Sequence, residues 1–131
     1  MAGNTDQYVV DASFCLALLL PDENLTTDAD KLFKDHINGS VQFISTPFLP
    51  FEVLNGLKTA VLRKRIKKAL AIRLVDAFIK LAINLKEVNY LENLENAFKN
   101  GLTVYDASYL TLAKNENMIL LTLDRDLTRS I

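Results

Sequence analysis

Residues 8–24 read YVVDASFCLALLLPDEN. The aromatic and β-branched run at 8–10 is short and apolar, as a strand buried inside a sheet would be. Asp11 ends it. Residues 12–20 then have the length and composition of a helix, stopped by Pro21 and the polar residues behind it. A strand, an acid and a helix in immediate succession open a βα unit, and the same order returns down the chain. Residues 41–45, 84–88 and 118–123 read as further strands.

Between them lie helical patterns. Thr27, with Asp30 three residues on in the manner of a capping box, starts a helix over 27–37 that Asn38 and Gly39 close. After Pro47 and Pro50 a long helix carries Leu49, Val53, Leu57 and Val61 every four residues as an inward stripe. Another, over 68–82, is expected to turn Ile72, Val75, Phe78 and Ile79 inward. Helices over 91–99, stopped by Gly101, and over 106–114 complete the pattern. Strands alternating with helices imply parallel βαβ units. The expected fold is a three-layer α/β sandwich with a central parallel sheet of four or five strands flanked by helices.

The chain of 131 residues fits one domain, 1–131, and half of it is hydrophobic, which excludes a disordered chain. A single cysteine, Cys15, excludes an internal disulfide and a CxxC metal site. A single histidine, His36, excludes paired-histidine acid–base chemistry and a histidine-rich zinc site, and reads as a surface or capping residue. The longest apolar run, 14–20, falls far short of the ~18 residues of a membrane span and has no basic segment before it. The expectation is a cytoplasmic protein with no membrane partner. Seven basic residues and no acidic one lie between Val53 and Val75, which leaves −8 on the rest of a chain whose total is −1. Such a segment suits a polyanion, and Arg63, Lys64 and Lys67 are its candidate phosphate contacts. The plainer alternative is a solvated helix face.

Four carboxylates sit where an apolar strand or helix gives way to a polar turn. They are Asp11 after YVV, Glu52 in TPFLPFEV, Asp106 in LTVYDASYL and Asp124 after ILLTL. In parallel α/β sheets ligands bind beyond the carboxyl ends of the strands, where Asp11 and Asp124 fall. Acids opening onto one crevice repel, by roughly 4 kcal/mol per pair at 4 Å and an effective dielectric of 20. A bound divalent cation relieves that repulsion, which points to metal-dependent chemistry on phosphate. Each acid also has a plain structural role, since Asp caps helices and Glu is favoured in a first turn.

Four neighbours have supporting roles. Ser13 can start the helix or orient a carboxylate, and Asn55 can hydrogen-bond behind Glu52. Asp126, in the next turn, can help to bind a cation or serve only the turn or cap. Thr122, two residues from Asp124, should face the same side of the last strand. Phe48, Leu49, Phe51, Val53 and Leu54 suggest that the turn around Glu52 is largely enclosed. Gly56 leaves that face open to another element or a ligand.

YVVDAS, PFLPFEVLNGL, YDASYLTLAKNENM and LLTLDRDL, in this order, resemble the motifs of PIN domains, and among them most the VapC-type toxins of prokaryotic toxin–antitoxin systems. The resemblance runs from Tyr8 to Leu127, and its force lies in the four motifs together. It implies a Mg²⁺- or Mn²⁺-dependent endoribonuclease whose acidic quartet is Asp11, Glu52, Asp106 and Asp124. Asp11, Asp106 and Asp124 would be direct or water-mediated metal ligands, and Glu52 a ligand or the group that positions the attacking water. It also implies an RNA substrate, a small antitoxin that covers the site, and a homodimer.

The chain departs from the family in one respect. PIN domains continue past the last acidic motif into a helix and an edge strand, so the sheet here either has four strands or takes its edge from elsewhere. A DNA or flap-type nuclease shares the acidic metal logic but has no strand-threading insertion here to match. A non-catalytic α/β binding module would use the same acids only as caps and ion pairs. A receiver-type phosphoacceptor would need paired acids at the first strand and a lysine after the last, and neither is present.

Overall fold

The computed structural model describes residues 6–131. Four strands and seven helices alternate: β1 (Asp6–Val10), α1 (Ala12–Leu19), α2 (Thr27–Asn38), β2 (Val41–Ser45), α3 (Leu49–Leu62), α4 (Lys68–Lys80), β3 (Asn84–Leu85), α5 (Tyr90–Asn100), α6 (Val104–Glu116), β4 (Ile119–Leu121) and α7 (Arg125–Ser130). The strands form one sheet in the order β3-β2-β1-β4, and every pairing is parallel. Helices flank it as the alternation requires, giving the expected three-layer α/β sandwich.

The chain leaves β1 toward β2 and β3, then returns to place β4 on the other side of β1. This reversal makes a crevice beyond the carboxyl ends of β1 and β4, the usual ligand position in open parallel sheets. Register fixes what faces it: Val10 pairs with Leu121, and the amide of Asp11 donates to the Leu121 carbonyl at 3.3 Å. Val9, Val10, Phe43 and Ile44 bury the sheet, and Leu49, Val53 and Leu57 pack α3 onto the same core. Helix α6 packs against β1, β4, α5 and α7, so its residues from Ala107 to Ala113 are buried almost all round.

Several local expectations change. The cap of α2 is Thr26, whose hydroxyl accepts from the Ala29 amide, so Thr27 is the first helical residue. Thr103 likewise caps α6, which begins at Val104, two residues before Asp106. Strand β3 is two residues and β4 three, the lengths over which each is in register with its neighbour, and the Lys86 amide adds one further bond to the Ser45 carbonyl at 2.8 Å. On α4 the buried face is set by Leu70, Leu74, Val75 and Phe78, leaving Ile72 64% and Ile79 66% exposed. Val75 and Phe78 therefore face inward as expected, whereas Ile72 and Ile79 do not. A helix, α7, does follow the last acidic motif, and the described sheet has four strands.

His36 is neither a cap nor a surface group. Its ring stacks on Phe43 with centroids 4.5 Å apart, and its Nδ1 accepts from the Phe43 amide at 3.1 Å. That leaves Nε2 to donate to the Leu81 carbonyl at 2.6 Å, tying α2, β2 and the end of α4 together. Gly56 admits another element: a Cβ there would lie 2.3 Å from Leu16 Cδ1, so its bareness serves the packing of α1 on α3.

Candidate active site

Asp11 is buried at the end of β1 and fully engaged. Its Oδ1 accepts from the Phe14 amide at 2.9 Å, as the cap of α1, and from the Ser13 hydroxyl at 2.7 Å. Its Oδ2 accepts from the Thr122 hydroxyl. Both expected supporting hydroxyls therefore touch it. Strand β4 ends at Leu121, so the two-residue alternation does not carry Thr122 and Asp124 into the site. Hydrogen bonds do: Thr122 Oγ1 accepts from the Asp124 amide at 2.9 Å, and Ser13 Oγ from the Leu123 amide at 2.9 Å. Asp124 Oδ1 caps α7 by accepting from the Leu127 amide at 3.0 Å.

Asp11 and Asp124 thus both act as caps, which their structural role alone would explain. Glu52 and Asp106 do not. Helix α3 has no side-chain cap, and Thr103 performs that task for α6. Glu52 instead accepts from the hydroxyl of Tyr109 at 2.5 Å, a residue buried inside α6 and absent from the expected site. Its one sequence signal is its spacing: three residues after Asp106, it shares that residue's face of the helix. The turn around Glu52 is more open than expected, because Phe51 is 76% exposed. A hollow of about 420 Å³ opens there, lined by Ala12, Phe48, Phe51, Glu52, Asn55 and Tyr105.

The electrostatics point one way. Burial raises the Asp11 carboxyl above the usual range against three hydrogen bonds that lower it, and Asp124 adds repulsion. Burial also raises Glu52, with Asp106, Asp11 and Asp124 repelling its charge and the Tyr109 hydroxyl opposing the shift. Asp106 is raised by burial and then by Asp124, with Asp126 adding a little. No lysine or arginine among the described residues acts on these three. Among the described residues, the four acids share one negative field without a counter-charge. Asp126 sits in the first turn of α7, paired with Arg129, and reaches the site only through that field.

Among the described residues, no three acids stand close enough to form a ready-made ligand cluster. Coupling through charge without direct convergence suits a hard cation that keeps several of its waters and meets the carboxylates partly through them. The donor set fits Mg²⁺ or Mn²⁺: it is all carboxylate oxygen, with hydroxyls already orienting Asp11.

The basic residues lie elsewhere. Arg63, Lys64 and Lys67 are exposed in the turn between α3 and α4, roughly 16 Å along α3 from Glu52. Arg65 is drawn out of that run by a bidentate pair to Asp22 at 2.8 Å and a further bond to Glu23 at 3.0 Å. An apolar groove of about 400 Å³ between α3 and α4 is lined by none of the four acids.

The fold is a small parallel α/β sandwich with Asp11 and Asp124 at its switch point and Glu52 and Asp106 within the same negative field. The PIN domain family model matches residues 8–130, so the chain belongs to that family. It is 32% identical over 125 residues to Ribonuclease VapC3 of Pyrobaculum aerophilum, covering 92% of each chain. The crystal structure of PAE2754 from the same organism is similar at a TM-score of 0.74 and 28% identity, over 96% of this chain and 80% of that one. VapC20 of Mycobacterium tuberculosis, described as a sarcin-ricin loop cleaving toxin, shares the fold at a TM-score of 0.63 and 14% identity, over 94% of each chain.

Proposed function

We propose that this protein is a divalent-metal-dependent endoribonuclease, the toxin of a toxin–antitoxin pair, acting in the cytoplasm as a single PIN-like domain. The observation that carries this reading is the pair Glu52 and Asp106. Neither caps a helix, yet both are partly buried in an uncompensated negative field beside Asp11 and Asp124. A structural module would gain nothing from that cost. The ribonuclease name of the 32% identical relative favours RNA over DNA. The toxin description of VapC20 and the VapC name of the relative favour a small antitoxin as partner; a homodimer is proposed from the resemblance of the motifs alone. Among the described residues no helix is long and apolar enough to cross a membrane.

In this mechanism Asp11, Asp106 and Asp124 would hold Mg²⁺ or Mn²⁺, partly through water, and the bound ion would supply a more acidic water and offset charge on the scissile phosphate. The chain's own groups do the rest. Ser13 and Thr122 fix the Asp11 carboxylate, and Thr122 also holds the backbone of Asp124. Tyr109 anchors Glu52 Oε1, leaving the other carboxylate oxygen to orient the attacking water and accept its proton. His36 is committed to Phe43 and Leu81, so attack by a ribose 2′-hydroxyl has no histidine to drive it. In-line attack by water leaves a 5′-phosphate and a 3′-hydroxyl.

The test is cleavage of RNA, and of single-stranded DNA of matching sequence, with Mn²⁺ and with EDTA. RNA cut with 5′-phosphate ends only in Mn²⁺ supports the proposal. Cleavage of DNA alone would favour the flap-type reading. No metal binding and no cleavage would reduce the protein to a binding module.

A further inference from the structure

The hollow beside Glu52 has a chemistry that cation binding does not use. Its walls are three aromatic rings, Phe48, Phe51 and Tyr105, and its polar groups are Glu52 and Asn55. Phe51 and Tyr105 are 76% and 51% exposed, each immediately preceding in sequence a carboxylate of the site, Glu52 and Asp106. Both stand on first turns of helices, α3 and α6, so their backbones are held by regular structure. Phe48 meets Tyr105 edge to face, with centroids 5.1 Å apart and planes at 85°, which sets the angle of the tyrosine ring. Asn55 follows Phe51 by four residues and so lies on the same face of α3, with an amide able to donate and accept.

From this arrangement we infer that the hollow is a nucleobase subsite. One base of a single-stranded RNA, next to the phosphate that is cut, stacks on Phe51 and Tyr105, and its edge meets Asn55. The inference rests on the ribonuclease reading. Unpaired bases are taken up by proteins on aromatic faces and read along their edges, whereas a paired base cannot leave its stack without cost. A purely apolar occupant would leave the Asn55 amide without a partner, whereas Glu52 already holds Tyr109. The apolar groove between α3 and α4 offers neither exposed rings nor acids, and so is not the equivalent site. In this subsite the identity of one nucleotide flanking the cut is set by Asn55.

The probe is a short single-stranded RNA spanning a cleavage site mapped in cellular RNA. Companion RNAs replace each nucleotide around the cut by an abasic residue in turn. Wild-type protein should show about a tenfold rise in KM (~1.4 kcal/mol) for one abasic position next to the cut, with kcat changed far less. Phe51→Ala should show the same rise on the intact RNA and lose its sensitivity to that abasic position. Phe51→Trp should retain stacking, and Phe51→Leu should not. Asn55→Ala should relax the preference for one base at that position. Because Phe51 is mostly exposed, its variants should fold, and a thermal melt checks this.

Wild type that cuts RNA without any abasic sensitivity, or Phe51→Ala that matches it throughout, would overturn the subsite and leave the nuclease standing. In that case the rings would belong to a protein interface. Wild type that neither binds nor cuts the RNA in Mn²⁺ would overturn both.

Discussion

The Tyr109 hydroxyl donates to Glu52 Oε1 at 2.5 Å, joining α6 to α3 at the crevice. The bond is made inside the protein, because Tyr109 is buried while Glu52 is only half so. Burial, the Glu52 hydrogen bond and nearby negative charge all push the phenol far above its usual pKa, so it remains a donor. A permanent donor fixes one carboxylate oxygen and favours the charged form of Glu52.

Tyr109→Phe removes that donor and little volume. Stability should fall by about 1 kcal/mol, the usual net value of one hydrogen bond. Glu52 would lose the one interaction that lowers its pKa, so the acid limb of the pH–rate profile should move to higher pH. With Glu52 no longer anchored, kcat should fall roughly tenfold, with KM less affected. A profile identical to wild type would make the tyrosine a packing residue only.

Asp106→Asn tests the site without disturbing a cap, since Thr103 caps α6. Cleavage should drop to background. Metal-free stability should hold or rise, because repulsion from Asp124 is relieved. Mn²⁺ should raise the melting temperature of wild type by ligand linkage and that of the variant much less. Equal cleavage at matched Mn²⁺ would remove Asp106 from the site.

Metal-free protein should gain stability on mild acidification. Asp11, Glu52 and Asp106 all have folded pKa values above their ordinary ones, so the folded state binds protons more readily than the unfolded chain. Their contribution is fully present below the unfolded values near about 4 and is lost as pH rises through the raised folded values. Asp22, lowered by Arg65, works in the opposite sense, losing its contribution as pH falls below about 4. Denaturant titrations from neutral to mildly acidic pH should show the rise, and saturating Mn²⁺ should flatten it. Stability that falls steadily over that range would contradict the shared negative field.

Replacing Arg63, Lys64 and Lys67 together with Ala should weaken RNA binding and flatten its salt dependence. Each phosphate of a single strand that is no longer neutralised takes about 0.7 off the logarithmic slope, so three take off roughly 2. An unchanged slope would assign this turn to solvent, and failure of antitoxin to co-purify, or of the dimer to form, would assign it to an interface.

The order of strands and helices, and the acids at their ends, were legible in the chain because their causes are local. Apolar periodicity, proline stops and Gly101 act within a few residues, and Gly101 does take up the left-handed conformation that ends α5. Cap identity was missed by one position at Thr26, and the start of α6 by two, because neighbouring hydroxyl and acid residues compete on nearly equal terms.

Pairings between distant segments needed the tertiary structure. The reversal that sets β4 beside β1 brings Thr122 to Asp11, and packing of α6 against the sheet carries Tyr109 to Glu52. Asp22 and Glu23 meet Arg65 in the same way, and His36 becomes a joint between β2 and the end of α4. Ile72 and Ile79 follow the same logic: which face of α4 is buried depends on the helices it meets, since its sequence carries apolar residues on more than one side. Periodicity places a residue on an element. Only the crossing of elements decides what that residue touches, because each pairing depends on how the whole chain closes on itself.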